Sequence, residues 1–203
     1  LPIDGLKIVQ AVMESSRIRE SKGIIPIFGV YVSLNFVQYY NRLSFEFEKL
    51  LGEKGRNEAA THLIAAAQEC GYATFHGIRN SWEWQELVQP MIEKAEDQIL
   101  GFTAVAEAFG WGAMEVKSII PDRELRIKVR DSYEASGYRQ DYGRALTGKC
   151  YMLRGVTAAF MDLLYGEDYP DGCFTFKAEE IRCRAKGEPT CEFLAQKNSQ
   201  EKE

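Results

Sequence analysis

The sequence predicts an α/β protein of the α+β kind, with helices packed on an antiparallel sheet. Three observations predict it. In the first half, apolar residues recur every three or four positions over long stretches, which is a helical period. Farther on the period drops to two: Leu125, Ile127 and Val129 alternate with Glu124, Arg126, Lys128 and Arg130. Pro121 with Asp122 supplies the turn between that strand and Met114–Ile120, too short a link for a crossover, so the two strands pair antiparallel.

The 203 residues, 45% hydrophobic and 27% charged, suit one globular domain, and no linker divides them. A net charge of −5 argues against a direct nucleic-acid binder, which needs a basic stripe to displace counterions from phosphates. No run reaches the roughly 18 apolar residues of a membrane span. Five cysteines, an odd number weighted to the C-terminus, fit reduced thiols or a metal and a cytoplasmic location.

Taken in order, Pro2–Ile18 places Leu6, Ile8, Val9, Val12 and Met13 on an amphipathic helix, able to pack on a partner subunit or on its own core. Ser21–Pro26 breaks that helix. From Phe28 to Leu51, the stripe Val32, Phe36, Tyr40, Leu43, Phe47 and Leu50 predicts a second helix with an aromatic inner face. Asn57 caps a third, with Ala60, Leu63, Ala67 and Cys70 on a narrow buried face and Gly71 as its stop. His62 and His76, the two histidines, lack metal-ligand spacing and read as structural or surface residues.

Pro90 restarts a helix whose face is Met91, Ala95, Ile99, Phe102, Ala106 and Phe109, with Glu93, Glu96 and Asp97 on a solvated side. Gly110–Trp111–Gly112 turns it into the strands, and the freedom of the flanking glycines lets the indole cap a cavity. Asp131–Tyr142 is polar and aromatic. Gly143–Tyr165 then reads as one helix with Leu146, Cys150, Leu153, Thr157, Phe160 and Leu164 facing inward, and Cys173–Cys183 with Cys191–Ala195 as a closing hairpin.

The hairpin carries the most specific chemistry. Cys150, Cys183 and Cys191, with a carboxylate from the pair Glu179 and Glu180, offer the donor set of a closed tetrahedral zinc site. In a regular strand Cys183 shares its face with Glu179; pairing it with Glu180 requires a bulge. Cys173 is a spare thiol, and Cys70 a buried small hydrophobe.

The succession Asp131-Ser132-Tyr133-Glu134-Ala135, then Cys150 with Gly155, then Glu180-x-x-Cys183-x-Ala185-x-Gly187-x-x-x-Cys191-x-Phe193, resembles the 4-vinyl reductase domain family. The resemblance implies a ligand-binding fold shared with nitric-oxide-signalling and Golgi-transport domains, usually a homodimer. It further implies a structural Zn2+ held by Cys150, Glu180, Cys183 and Cys191. Its members include sensor domains of phenol- and hydrocarbon-responsive activators. On this reading residues 1–22 are a helical segment available for a dimer contact, 23–196 the 4-vinyl-reductase-like ligand-binding domain, and 197–203 a disordered tail.

The expected function is a zinc-stabilised sensor or carrier for a small hydrophobic or aromatic molecule. The expected pocket wall is Phe36, Tyr40, Phe102, Phe109, Trp111, Tyr133, Tyr151 and Phe160. An enzyme is the first alternative, but the chain has no Gly-rich strand-to-helix turn for a dinucleotide, no HExxH and no Ser/His/Asp set. A protein-interaction or assembly module is the second. Arg130 stands where the phenol-sensing branch has a tryptophan, two residues before Ser132, so phenol specificity does not carry over.

Overall fold

The computed structural model describes residues 2–16 and 25–198. Its centre is a layered stack. Helix α7 (Tyr151–Tyr165) lies on a four-stranded antiparallel sheet, and the 28-residue helix α3 (Gly52–Arg79) lies on α7. The sheet runs β3 (Ala113–Ile120), β4 (Glu124–Arg130), β6 (Cys191–Lys197), β5 (Phe176–Arg182) in spatial order. The inward residues Leu125, Ile127 and Val129 of β4 meet Ala195, Phe193 and Cys191 of β6 in register, and all six are buried. The predicted Pro121–Asp122 hairpin is present, with Asp122 in the left-handed region at φ 55°.

The α3–α7 crossing is close because glycines stand on both sides. A Cβ on Gly155 would lie 2.5 Å from the Ile64 carbonyl oxygen and 2.6 Å from the Gln68 nitrogen; one on Gly71 would lie 2.9 Å from Val156 Cγ2. Gly71 therefore does not stop the helix. A helix-interior glycine costs only about 1 kcal/mol against alanine, and here it admits a neighbouring helix. Asn57 is likewise interior, since α3 starts at Gly52. The buried row on α3 is Ala67, Gly71, Phe75 and Ile78, which leaves Cys70 off that face and exposed. His62 is exposed too, while His76 stacks on Tyr169 at 3.9 Å.

Helix α1 (Gly5–Ser15) buries Ile8 and Val12 within its own chain, packed on α5 (Asp97–Ala108). The remainder of the predicted segment, residues 17–22, lies outside the described residues, as do 199–203 of the predicted tail; Lys197 itself ends β6. Asp97 is not on a solvated face: it is 2% exposed and accepts from the backbone N–H groups of Glu93 and Lys94, closing the turn before α5. Ser81 caps the short α4 (Trp82–Leu87) by accepting from Trp84 N.

The second predicted helix is shorter and turned round. Ile25–Ile27 and Val30–Val32 form a small hairpin (β1 and β2) about Phe28 and Gly29, both at positive φ, and α2 runs only from Val37 to Leu50. Its buried residues are Asn41, Ser44, Phe45 and Glu48. From the predicted inner stripe, Phe36, Leu43 and Leu50 are 86%, 61% and 82% exposed. The helix turns its polar face inward because Glu48 has buried partners there, described below. Its apolar face is left without a partner among the described residues.

A candidate metal centre and the buried clusters around it

Four residues that are far apart in sequence converge where α7, β5 and β6 begin or end. The ligand atoms of Cys150, Glu180, Cys183 and Cys191 all lie within 4.8 Å of one another. Cys150 does not sit on the inner face of a helix. The predicted Gly143–Tyr165 helix starts only at Tyr151: Gly143, at φ 78°, closes the preceding helix, residues 143–150 are not helical, and Cys150 is the residue that caps the start of α7. Cys191 opens β6 opposite Val129. Cys183 follows β5 and leads into a single 3-10 turn, Arg184–Lys186, closed by Gly187 at φ 98°.

The parity conflict between Glu180 and Cys183 is resolved by a bulge. Glu180 pairs with Phe193 but Arg182 pairs with Glu192, so Ile181 is an extra residue and the alternation reverses after it. Glu180 and Cys183 thus reach one side. Glu179 pairs with Leu194, is exposed, and takes no part; Cys173 is also outside the cluster.

The three thiols are buried and carry no disulfide. Cys150 Sγ and Cys191 Sγ are 3.6 Å apart, close to the roughly 3.8 Å edge of a zinc–thiolate tetrahedron with 2.3 Å bonds. Ser132 Oγ lies 3.2 Å from Cys150 Sγ, and the backbone N–H of Arg184 points to Cys191 Sγ at 3.4 Å. Glu180 Oε2 accepts from the Cys150 N–H at 3.1 Å, while Oε1 is buried with no hydrogen-bond partner. Gly148 passes so close that a Cβ there would overlap the Glu180 carboxylate.

Burial, and then the neighbouring Cys183, pushes the Glu180 carboxyl up to about 8. Burial, with hydrogen bonding to Cys183 and Cys191, holds the Cys150 thiol well above the usual range. Hydrogen bonds from Cys150 and Cys183 draw Cys191 down to about 5. None of the four residues makes an ion pair with Lys or Arg among the described residues. A packed set of anion-forming donors with one orphan carboxylate oxygen fits a divalent cation, which supplies the missing charge and takes the orphan oxygen.

Two further buried clusters adjoin this centre. Ser132 caps α6 (Tyr133–Tyr142), a helix within the stretch read as polar and aromatic, by accepting from the Ala135 N–H. The capping serine was the available sequence signal. Glu134, fully buried, accepts from Tyr40 Oη at 3.2 Å and from the N–H groups of Met152 and Leu153, so it caps α7 from outside. Burial raises its carboxyl to about 8. In the other cluster Glu48 accepts from Lys149 Nζ and from Tyr151 Oη, each at 2.7 Å, and pairs with Arg56 Nε at 3.2 Å. Glu48 and Lys149 were not singled out from sequence, where each looks like an ordinary surface charge, and Glu134 entered there only as part of the Asp131–Ala135 succession.

The eight predicted pocket residues do not meet around one cavity among the described residues. Phe36 stands in the open. Tyr40 and Tyr133 pair at 5.4 Å beside Glu134, and Tyr151 belongs to the Glu48 cluster. Phe102 and Phe160 are fully buried between helices, in contact with each other at 5.3 Å and with Phe75 at 5.4 and 4.8 Å. Trp111 flanks Phe75 at 6.2 Å, and Phe109 flanks Trp111. This aromatic heart contains a residue the sequence reading left aside: Trp84, fully buried and 5.1 Å from Phe102, whose Nε1–H has no partner.

No protein-family model matches the chain, and no curated protein sequence matches it. Solved structures do. The crystal structure of the phenol-responsive sensory domain of the transcription activator PoxR with phenol superposes with a TM-score of 0.73, covering 98% of this chain and 92% of that one at 15% identity. The chain has the fold of that sensory domain. A trafficking protein particle complex subunit 3 from Naegleria fowleri, covalently bound to palmitic acid, gives a TM-score of 0.50 at 12% identity, over 79% of this chain and 96% of that one. A vinyl-4-reductase family protein from Methanocaldococcus jannaschii gives 0.49 at 14% identity, over 95% and 93%. The fold expected from sequence, helices packed on an antiparallel sheet, is the fold observed, and the PoxR sensory domain shares it. No helix among the described residues is long and apolar enough to cross a membrane.

Proposed function

We propose that this chain is a sensor or carrier domain for a small apolar or aromatic molecule, stabilised by a structural zinc ion. The observation that carries the reading is the match, over 98% of the chain, to a sensory domain whose structure contains phenol. The aromatic heart supports it. Phe75, Phe102, Phe160 and Trp84, packed on one another, would be the apolar walls of a site opened between them, and the indole N–H of Trp84, without a partner among the described residues, is a buried donor that a ligand oxygen would satisfy. Native mass spectrometry and thermal shift with phenols, aromatic hydrocarbons and isoprenoids test the proposal. We expect a one-to-one adduct for at least one class. Trp84→Phe should weaken a hydroxyl-bearing ligand about 5–10-fold, the worth of one hydrogen bond, and spare its hydrocarbon analogue. Failure of every class to bind would overturn the reading.

Zinc bound by Cys150, Glu180, Cys183 and Cys191 would have four protein ligands and no open position for water or substrate. Its role is then mechanical. It ties the start of α7 to the β5–β6 turn, so that the sheet edge and the helix covering it move as one piece. The reduced thiols this requires suit a cytoplasmic setting.

The same reading includes a homodimer formed through α2. Phe36, Val37, Tyr39, Leu43 and Leu50 are exposed along one helix and the residue before it, with Leu43, Phe47 and Leu50 bounding a shallow groove. An apolar surface of this kind on a free helix marks an interaction site. Light scattering should give the mass of two chains, and Leu43→Glu with Leu50→Glu the mass of one with the fold retained. A wild-type monomer at micromolar concentration would contradict it.

A further inference from the structure

A cleft of about 270 Å³ opens between α2, α3, α6 and the segment 143–149, beside the candidate metal centre but lined by none of its four donors and by none of the aromatic heart. Four cations line it, Lys49, Arg56, Arg144 and Lys149, against one carboxylate, Glu48. In a chain with a net charge of −5 this is a local reversal of sign. Two of the lining charges form the floor and are more than nine-tenths buried: Lys149 is 4% exposed and Glu48 5%.

The donors outnumber the acceptors. Glu48 is saturated by Lys149, Tyr151 and Arg56, and Lys49 is taken by Glu46. Arg56 spends only Nε on Glu48, and Arg144 only Nε on the carbonyl of Lys186 at 2.8 Å. The terminal nitrogens of both guanidinium groups have no hydrogen-bond partner among the described residues. Two guanidinium forks converging on a recess match the oxygens of a carboxylate or phosphate, which such groups hold through paired hydrogen bonds. Phe45, Tyr138 and Leu146 form the apolar part of the wall. Phe45 and Tyr138 are locked edge to face at 4.8 Å, giving a rigid surface for a ring or short chain.

We infer that this cleft is a binding site for a compact molecule bearing an oxyanion, a carboxylate or a phosphate, with Arg56 and Arg144 holding the oxygens and Tyr138 and Phe45 the body. Lys149 adjoins Cys150 in sequence, so an occupant would bridge α2 to the start of α7. The inference is independent of what the aromatic heart binds.

Benzoate and inorganic phosphate serve as probes, titrated by calorimetry into the intact chain at constant ionic strength made up with chloride. We expect saturable binding of at least one probe. Benzoate as the tighter probe assigns the site to carboxylates on an apolar body, and phosphate as the tighter one to phosphate groups. Arg56→Gln and Arg144→Gln should each weaken binding at least fivefold. Because these two arginines are at least partly exposed, the unliganded melting temperature should hold, so a loss of binding is not a loss of fold. Trp84→Phe should leave anion binding unchanged. No saturation by either probe, binding indifferent to both arginine variants, or binding abolished by Trp84→Phe would overturn the inference.

Discussion

Cys183→Ser should release the metal and lower the melting temperature by about 10–20 °C, which for a chain of this size corresponds to roughly 5 kcal/mol. The physical reason is that the cluster has no alternative way to satisfy itself. Cys183 is fully buried and, among the described residues, Glu180 Oε1 has no partner and no cationic side chain pairs with the group. Without the ion Cys150 and Glu180 hold protons to stay buried beside the more acidic Cys191, and the group repels itself as those protons leave. Elemental analysis of the wild-type chain should find about one zinc per chain. A strong chelator should reproduce the thermal loss of the serine variant, whereas Glu179→Gln and Cys70→Ser, outside the cluster, should change neither metal content nor melting temperature. A metal-free wild-type protein with all thiols open to titration would refute the metal assignment, as would a Cys183→Ser variant that keeps both zinc and stability.

Gly155→Ala should cost about 3 kcal/mol, although alanine is the better helix former by about 1 kcal/mol. The added carbon would fall 2.5 Å from a backbone oxygen and 2.6 Å from a backbone nitrogen of α3, and 2.7 Å from Ala67 Cβ. Backbone atoms of a long helix cannot step aside as a flexible side chain does. The two helices would have to separate along the contact that joins α3 to the sheet layer. Urea denaturation measures the loss; an alanine variant as stable as the wild type would show that the crossing has slack that this geometry denies.

The β3–β4 hairpin was legible from sequence because period-two alternation reports one buried face directly, and a three-residue link leaves the chain no route but a hairpin. Helical period located α1, α5 and the body of α7 for the same reason. Glycine was the weaker guide. Gly52, Gly110, Gly143 and Gly187 occupy left-handed backbone and do end or redirect elements, whereas Gly71 and Gly155 stand inside helices where a second helix needs room. Local sequence cannot separate these two uses, since the same missing side chain serves both.

The inversion of α2 has a comparable cause. Apolar spacing correctly marks one face of that helix, but which face turns inward depends on partners at residues 134, 149 and 151, about a hundred positions away. Tyr40 and Glu48 find such partners in Glu134, Lys149 and Tyr151. The apolar stripe finds none among the described residues, which leaves Phe36, Leu43 and Leu50 exposed.

The donor set of the candidate metal centre was therefore contained in the sequence as three cysteines and a choice of two glutamates, because thiolate and carboxylate chemistry does not depend on the path between the donors. Which glutamate completes the set was decided only in three dimensions, where one extra residue at Ile181 reverses strand parity and brings Glu180 beside Cys183. The cationic cleft was decided there as well. Its charges come from α2, α3 and the segment before α7, and no local pattern marks them, because their convergence depends on how the chain packs.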